Sequence, residues 1–228
     1  MQEKEIYTTA DGSPTFYMRA LDEYYHSRHG AVQESNYVFI EKGLAHWRSL
    51  YPTAPSCSIF EMGMGTGLNV LLALKASISQ KISTKMTTIE AFPLSADLVL
   101  KEDFSAFLSP EELPLFKTIH ESEWEEMISI QQDFQLKKVN TKLEDFSFDS
   151  SYDVIFYDAF GARTQPELWE DEVFFRLAKQ LRPGGVFVTY SAKGSMRRAL
   201  EKMGLAVERL AGPPGKREMI RAIRTSSR

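Results

Sequence analysis

Along this chain, short runs rich in apolar and β-branched residues alternate with longer stretches in which apolar residues return every three or four positions. The short runs at Thr15–Met18, Ile59–Met62, Met86–Glu90, Phe134–Val139, Tyr152–Phe160 and Val186–Tyr190 read as strands. Tyr152–Phe160 is almost continuously apolar, as expected at the centre of a parallel sheet covered on both faces. Helical spacing fills the intervals. It predicts helices from Glu34 to about Leu50, with Val38, Leu44, Ala45 and Trp47 turned to the core, and from Leu68 through Val70, Leu71, Leu72 and Leu74. Others are expected from Pro93 through Leu94, Leu98 and Leu100, from Pro166 to about Leu181, and over Ser195–Met203, stopped by Gly204. Short helices are expected around Pro110–Phe116 and Glu123–Ile130, with Trp124 buried on one side, and Arg182-Pro183-Gly184-Gly185 reads as a tight turn. Leu205–Leu210 and Met219–Ile223 form a closing antiparallel pair across Gly212–Arg217. Alternating strands and helices ending in a hairpin predict an α/β fold, one mostly parallel sheet of about seven strands with an antiparallel C-terminal hairpin.

The junction after the first core strand narrows the chemistry. Ile59-Phe60-Glu61-Met62-Gly63-Met64-Gly65-Thr66-Gly67-Leu68-Asn69 runs from a strand through a glycine-rich turn into a helix, a place that holds nucleotide-like cofactors in Rossmann-like sheets. A dinucleotide fingerprint has the spacing Gly-x-Gly-x-x-Gly, whereas Gly63, Gly65 and Gly67 are two apart and Leu68 stands where the third glycine belongs. Glu61 would repel a pyrophosphate at close range. A ligand with a cationic amino-acid end fits better. Glu90 closes the next strand about 20 residues beyond the glycines, where a carboxylate accepts hydrogen bonds from both hydroxyls of a ribose. Asn140, after the third strand, could offer a carbonyl to an adenine amine, with Asp145 as the alternative. Asp158 ends the central strand, at the sheet edge where open α/β folds bind ligands.

At 228 residues, 43% hydrophobic and 25% charged, the chain suits one sizeable core. We expect a single globular domain, with residues 1–50 an N-terminal extension or lid and residues 51–228 the core. His26 and His29 lie three apart, but no third metal ligand accompanies them. Tyr25, His26, Ser27, Glu34 and Ser35 read better as a wall over the cofactor, with Tyr25 and Ser27 among its contacts. No metal is expected. A single cysteine, Cys57, excludes an internal disulfide, and no apolar run is long enough to span a membrane, so a cytoplasmic protein is expected. Net charge is −4, unevenly spread. From Lys193 to Arg228 there are ten Lys or Arg against three Glu, a local +7 that leaves −11 on the other 192 residues. Such an end fits either a polyanion-binding face or a solvated helix and tail.

The Glu-x-Gly-x-Gly-x-Gly turn resembles the S-adenosylmethionine loop of class I methyltransferases. DGSPTFY, YHSRHGAVQES, FEMGMGTGLN, IEAFPL, DAFGARTQPELW, YSAKGSMRRAL and GPPGKREM resemble, in order, the methyltransferase part of the bifunctional enzymes that finish 5-methylaminomethyl(-2-thio)uridine at the tRNA wobble position. Those enzymes add an FAD-dependent oxidase, and no second nucleotide fingerprint follows here, so the resemblance is to a stand-alone methyltransferase. A separate oxidase or upstream tRNA-modifying enzyme would supply its aminomethyl substrate.

The resemblance implies S-adenosylmethionine as cofactor, held by Glu61, Gly63, Gly65, Gly67, Asn69 and Glu90, and transfer of its methyl to a primary amine oriented or deprotonated by Asp158. Asp158 could instead cap the next helix or hold a loop. Phe160 and Tyr190 would wall a flipped uridine, or belong to the core. Lys193, Arg197, Lys216 and Arg217, with Arg198, would meet anticodon-loop phosphates. Gly161 and Arg163 depart from the family's usual loop after the central strand. An aminopropyltransferase of the spermidine-synthase type and a non-catalytic RNA-binding module on the same fold remain alternatives.

Overall fold

The computed structural model describes residues 4–101, 105 and 107–225. Strands β1 (Lys4–Thr8), β2 (Pro14–Met18) and β3 (Glu23–Tyr24) form a small antiparallel sheet. The chain then enters a helical stretch made of α1 (Ala31–Ser35), a π-helical segment (Asn36–Ala45) and α2 (His46–Leu50), with right-handed helical backbone through both junctions. Val38, Leu44 and Trp47 are buried as the spacing predicts, while Ala45 is half-buried. The wider π turns were not legible in the sequence.

The main sheet has eight strands in the order β10-β11-β9-β8-β4-β5-β7-β6. They are β4 (Ser56–Met62), β5 (Ser83–Glu90), β6 (Met127–Gln131), β7 (Phe134–Asn140), β8 (Tyr152–Tyr157), β9 (Leu181–Thr189), β10 (Leu205–Ala211) and β11 (Glu218–Arg224). Strands β4, β5, β7, β8 and β9 run parallel, and β6, β10 and β11 join antiparallel at the two edges. Successive side chains alternate faces. Ile59, Val154, Phe156, Val186 and Val188 pack with Phe39, Leu44 and Trp47 and with Leu71 and Leu74 of α3 (Leu68–Gln80). Phe60, Met62, Ile155, Tyr157 and Phe187 face the other way. They meet Phe174 and Leu177 of α6 (Asp171–Gln180) and Met196 and Leu200 of α7 (Gly194–Lys202). All six residues of β8 are buried, the consequence of helices on both faces.

Four expectations are corrected. The eighth strand is β6, where a helix was expected over Glu123–Ile130. Ile128 and Ile130 share one side of the chain, and the short loop after Gln131 folds the segment back against β7. Trp124 is half-buried against the core, as expected. Among the described residues the helix expected from Pro93 is α4 (Ala96–Val99), and α5 spans Glu112–Glu121. The Pro166 helix is broken. A 3₁₀ turn at Pro166–Trp169 ends at Glu170, whose extended backbone precedes α6. Trp169 Nε1 donates to the Phe160 carbonyl at 2.8 Å and the Tyr157 hydroxyl donates to the Leu168 carbonyl, so tertiary bonds set that break. Arg182–Gly185 is not a free turn but the irregular start of β9, where the register against β8 shifts. Among the described residues no helix is long and apolar enough to cross a membrane.

Gly43 lets the π-helical segment lie on the sheet. A Cβ there would stand 2.9 Å from Val188 Cγ2 and 3.2 Å from Phe156 Cε1. Gly43→Leu is expected to lose about 1–3 kcal/mol by overpacking, read as a lower urea midpoint at unchanged slope.

Candidate active site

Strands β4 and β8 are neighbours, and the chain leaves β4 towards β5 on the opposite side from β8, which makes their carboxyl ends the switch point of the sheet. Met62 and Tyr157 pair there, so the glycine turn and Asp158 emerge side by side. The Asp158 N–H donates to the Met62 carbonyl at 3.0 Å. Gly63 has φ +90, and a Cβ on it would lie 2.6 Å from the Asp158 carbonyl oxygen, so this crossing admits only glycine. Asn69, in the first turn of α3, donates from Nδ2 to Asp158 Oδ2 at 2.8 Å and ties the helix to the strand end.

Acidic groups are concentrated here. Glu61 is fully buried, and its Oε2 accepts the Thr88 hydroxyl at 2.6 Å. Burial pushes its carboxyl up to about 8, with further upward pressure from Asp158 and Glu90 and opposition from the Thr88 and Asn69 hydrogen bonds. Burial likewise raises Asp158 to about 7. Glu34 adds to the rise, and the Asn69 hydrogen bond and Lys216 oppose it. Glu90 is fixed by the backbone, Oε2 accepting Gly65 N–H at 3.0 Å and Oε1 accepting Phe92 N–H at 2.9 Å.

Two cavities flank the turn. The first, about 470 Å³, is lined by Gly65, Glu90, Pro93, Ala96, His120 and Trp124. His120 was not singled out from the sequence. Burial holds its imidazole down to about 4, so the neutral ring donates from Nε2 to the Thr66 carbonyl at 3.1 Å. Lys138, also missed, is buried in β7 and caps α5 by donating to the Ile119 and His120 carbonyls at 2.8 and 3.1 Å. Asn140 stands opposite Glu90 in the sheet register and donates from Nδ2 to the Glu90 carbonyl at 2.9 Å.

The second cavity, about 510 Å³, is bounded by Tyr25, Ser27, Glu34, Asp158, Phe160, Tyr190 and Lys216 among others. Tyr25 crosses Phe160 edge-on at 5.1 Å between ring centroids and lies against Gly65, so it divides this space from the first. The Tyr190 hydroxyl donates to the Ala159 carbonyl at 2.8 Å. His26 is a structural link between the N-terminal sheet and the glycine turn. Its Nδ1 lies 3.2 Å from the Thr15 hydroxyl and its Nε2 3.4 Å from that of Thr66. Thr164 donates to Glu23 at 3.2 Å, so the loop after β8 rests on β3 despite its unusual Gly161 and Arg163.

The basic C-terminal end divides into separate groups. Arg197, Lys202, Arg209 and Arg221 pair with Glu201, Asp171, Glu218 and Glu208, and Arg224 donates to the carbonyls of Ala178, Lys179 and Leu181. Lys216 turns inward to Glu34. Lys193, Arg198 and Arg217 are exposed, and none of them lines either cavity. Arg228 lies outside the described residues.

The cofactor implied by the sequence resemblance fits the residues present. Glu61 Oε1 and Asn69 Oδ1 are buried acceptors without a donor among the described residues, suited to a cationic amino-acid end. Glu90 lines the first cavity, and each of its oxygens accepts one backbone N–H and keeps lone pairs for a diol.

Comparison with known proteins agrees. The chain is 27% identical over 231 residues to the tRNA 5-methylaminomethyl-2-thiouridine biosynthesis bifunctional protein MnmC of Hydrogenovibrio crunogenus, covering 96% of this chain and 34% of that protein. To its counterpart from Idiomarina loihiensis it is 31% identical over 218 residues, covering 88% and 35%. The chain thus spans about a third of the length of these curated relatives. The crystal structure of MNMC2 from Aquifex aeolicus superposes with a TM-score of 0.78 at 26% identity, covering 97% of this chain and 70% of that one. A family profile described as S-adenosyl-L-methionine-dependent methyltransferase matches residues 112–225, half of the chain. The chain therefore belongs to the S-adenosyl-L-methionine-dependent methyltransferase family.

Proposed function

We propose that this enzyme methylates the primary amine of 5-aminomethyl(-2-thio)uridine at the tRNA wobble position, giving 5-methylaminomethyl(-2-thio)uridine. The observation that carries the reading is the second cavity, aromatic-walled by Tyr25, Phe160 and Tyr190 and acidic through Glu34 and Asp158, next to the glycine turn. An apolar wall suits a flipped base, and a buried Glu34 beside a half-buried Asp158 suits a cationic substituent on it. The names of the MnmC relatives support the same acceptor.

When bound, S-adenosylmethionine supplies an electrophilic methyl on a sulfonium sulfur, and its thioether leaves neutral. The protein's task is alignment and control of one proton. Glu61, Asn69 and the turn at Gly63, Gly65 and Gly67 hold the amino-acid end. Glu90 takes the ribose, and Asn140 lies at the adenine end. Tyr25 and Ser27, in the segment between β3 and α1, close over the junction of the two cavities. Asp158 attracts the acceptor ammonium and takes its proton, freeing the nitrogen lone pair for attack. Phe160 and Tyr190 wall the base, and Lys193, Arg197 and Arg217, outside the cavity, meet phosphates of the anticodon loop. A separate oxidase or upstream tRNA-modifying enzyme supplies the aminomethyl group. With tRNA as substrate, we infer a cytoplasmic location.

The direct test uses labelled S-adenosylmethionine and bulk tRNA from cells lacking this enzyme, followed by nucleoside analysis. Label is expected in 5-methylaminomethyl-uridine; label only in other nucleosides, or none, overturns the proposal.

Because Glu61 sits near 8 in the free protein, it is protonated at neutral pH, and a cation bound beside it favours the carboxylate. Cofactor binding is then expected to release a proton at pH 7 and to tighten as pH rises towards about 8. Calorimetry in buffers of different ionisation enthalpy reads this, and Glu61→Gln should bind with neither proton release nor pH dependence.

Asp158 gains its carboxylate form as pH rises through about 7. We expect kcat/KM to climb across that range, and Asp158→Asn to bind cofactor normally while losing about 10²-fold or more in turnover together with that limb. Unchanged turnover would remove its assigned role.

A further inference from the structure

Glu34 is a buried carboxylate that the reaction above leaves without a specific task. It is 7% exposed, and its Oε2 accepts the Ser27 N–H at 3.0 Å. Its other oxygen is paired with the Lys216 ammonium, whose Nζ also lies 3.7 Å from the centroid of the Tyr190 ring. A cation held between a desolvated carboxylate and an aromatic face is in the setting that binds primary ammonium groups. All three side chains line the cavity that Asp158 closes.

The occupant of this setting comes from far away in sequence. Lys216 lies in the loop joining β10 and β11, outside both strands, and is 182 residues from Glu34. The loop is pinned by its own backbone, with Lys216 N–H donating to the Pro213 carbonyl at 2.9 Å and Gly212 N–H to the Arg217 carbonyl at 3.1 Å, and Gly215 lies against the His29 ring. The side chain itself is a point charge on a flexible four-carbon stem, able to withdraw while the loop stays put. A buried ion pair contributes little net stability over apolar packing, so stability alone does not account for one inside a substrate cavity.

We propose that Glu34 and the face of Tyr190 form the subsite that receives the acceptor's ammonium, and that Lys216 occupies this subsite as a displaceable internal cation until the acceptor arrives. The inference deepens the proposed function and rests on the acceptor being a primary amine. It also makes Lys216 a specificity device. A neutral substituent cannot replace the lysine without leaving Glu34 buried and unpaired, whereas an ammonium can. Substrate and methylated product carry the same single positive charge once each is protonated, so Lys216 competes with both and its return favours release.

The test uses the free nucleoside 5-aminomethyluridine at saturating S-adenosylmethionine and pH 8, which removes every phosphate contact from the measurement. Lys216→Met is expected to lower KM for the nucleoside about fivefold or more by removing the competitor, and Glu34→Gln to raise it by a similar factor. The double variant should show no gain over Glu34→Gln. A KM unchanged or raised in Lys216→Met, or a gain that persists without Glu34, overturns the proposal. Cofactor affinity equal to wild type in all three variants serves as the check on folding.

A second arm does not depend on the identity of the acceptor. Benzylammonium, followed by NMR titration, should bind Lys216→Met more tightly than wild type and lose that gain in the double variant. If wild-type enzyme leaves the free nucleoside unmethylated, the bulk-tRNA assay still decides the substrate reading and this arm decides the subsite. Equal benzylammonium binding in all variants overturns it.

Discussion

Carboxylates held in a desolvated space, with few cations to meet them, set the terms for this site. Glu61 is fully buried with one oxygen lacking a donor among the described residues, Glu34 is nearly buried, and Asp158, at the end of β8, feels Glu34 and acts on Glu61. Ionising such groups in a low-dielectric region is costly unless a cation or several donors are at hand. Thr88, Asn69, Ser27 and Lys216 offset part of that cost and no more, as the raised values of Glu61 and Asp158 record. The ligand-free pocket is therefore complementary to positive charge, which a sulfonium with an ammonium, and an aminomethyl acceptor, both carry.

The sheet makes this concentration of charge possible. Parallel strands β4 and β8 bring two carboxyl ends together, and the close crossing of Gly63 with the Asp158 carbonyl locks their relative height. Asn69 then couples the first turn of α3 to Asp158, so the glycine turn and the end of β8 are held by one hydrogen bond between two rigid elements. At the first cavity, Lys138 caps α5, whose His120 props the Thr66 carbonyl from the far side of the turn. Positions fixed by strands and helix ends in this way suit a reaction whose main demand is alignment.

Much of this arrangement was legible in the sequence. The parallel strands and the glycine turn announce themselves because both faces of the sheet are covered and the turn tolerates no substitute for Gly63. The acids at strand ends follow from the strands. What stayed hidden depends on contacts between distant segments. Ile128 and Ile130 suit a helix or an edge strand equally well, and only pairing with β7 decides. The break at Glu170 is set by bonds from Trp169 and Tyr157. Charge counting showed a basic C-terminal end but not that most of its cations are paired within the chain, because the partners of Lys202 and Lys216 come from other elements. His120 lay in a stretch with little periodicity, and no local signal links it to Thr66.

The same acids connect binding to stability. A carboxyl whose folded-state value is raised favours folding below its ordinary value and loses that contribution as pH rises through the folded one. For Glu61 that interval runs from 4.5 to about 8, and for Asp158 from 3.8 to about 7, so near neutral pH these two carboxyls are an unfavourable part of the fold. The thermodynamic linkage runs both ways. Whatever cation relieves Glu61 and Asp158 stabilises the protein as it binds. Lys216 fits the same logic from inside the chain, since its charge opposes the rise at Asp158.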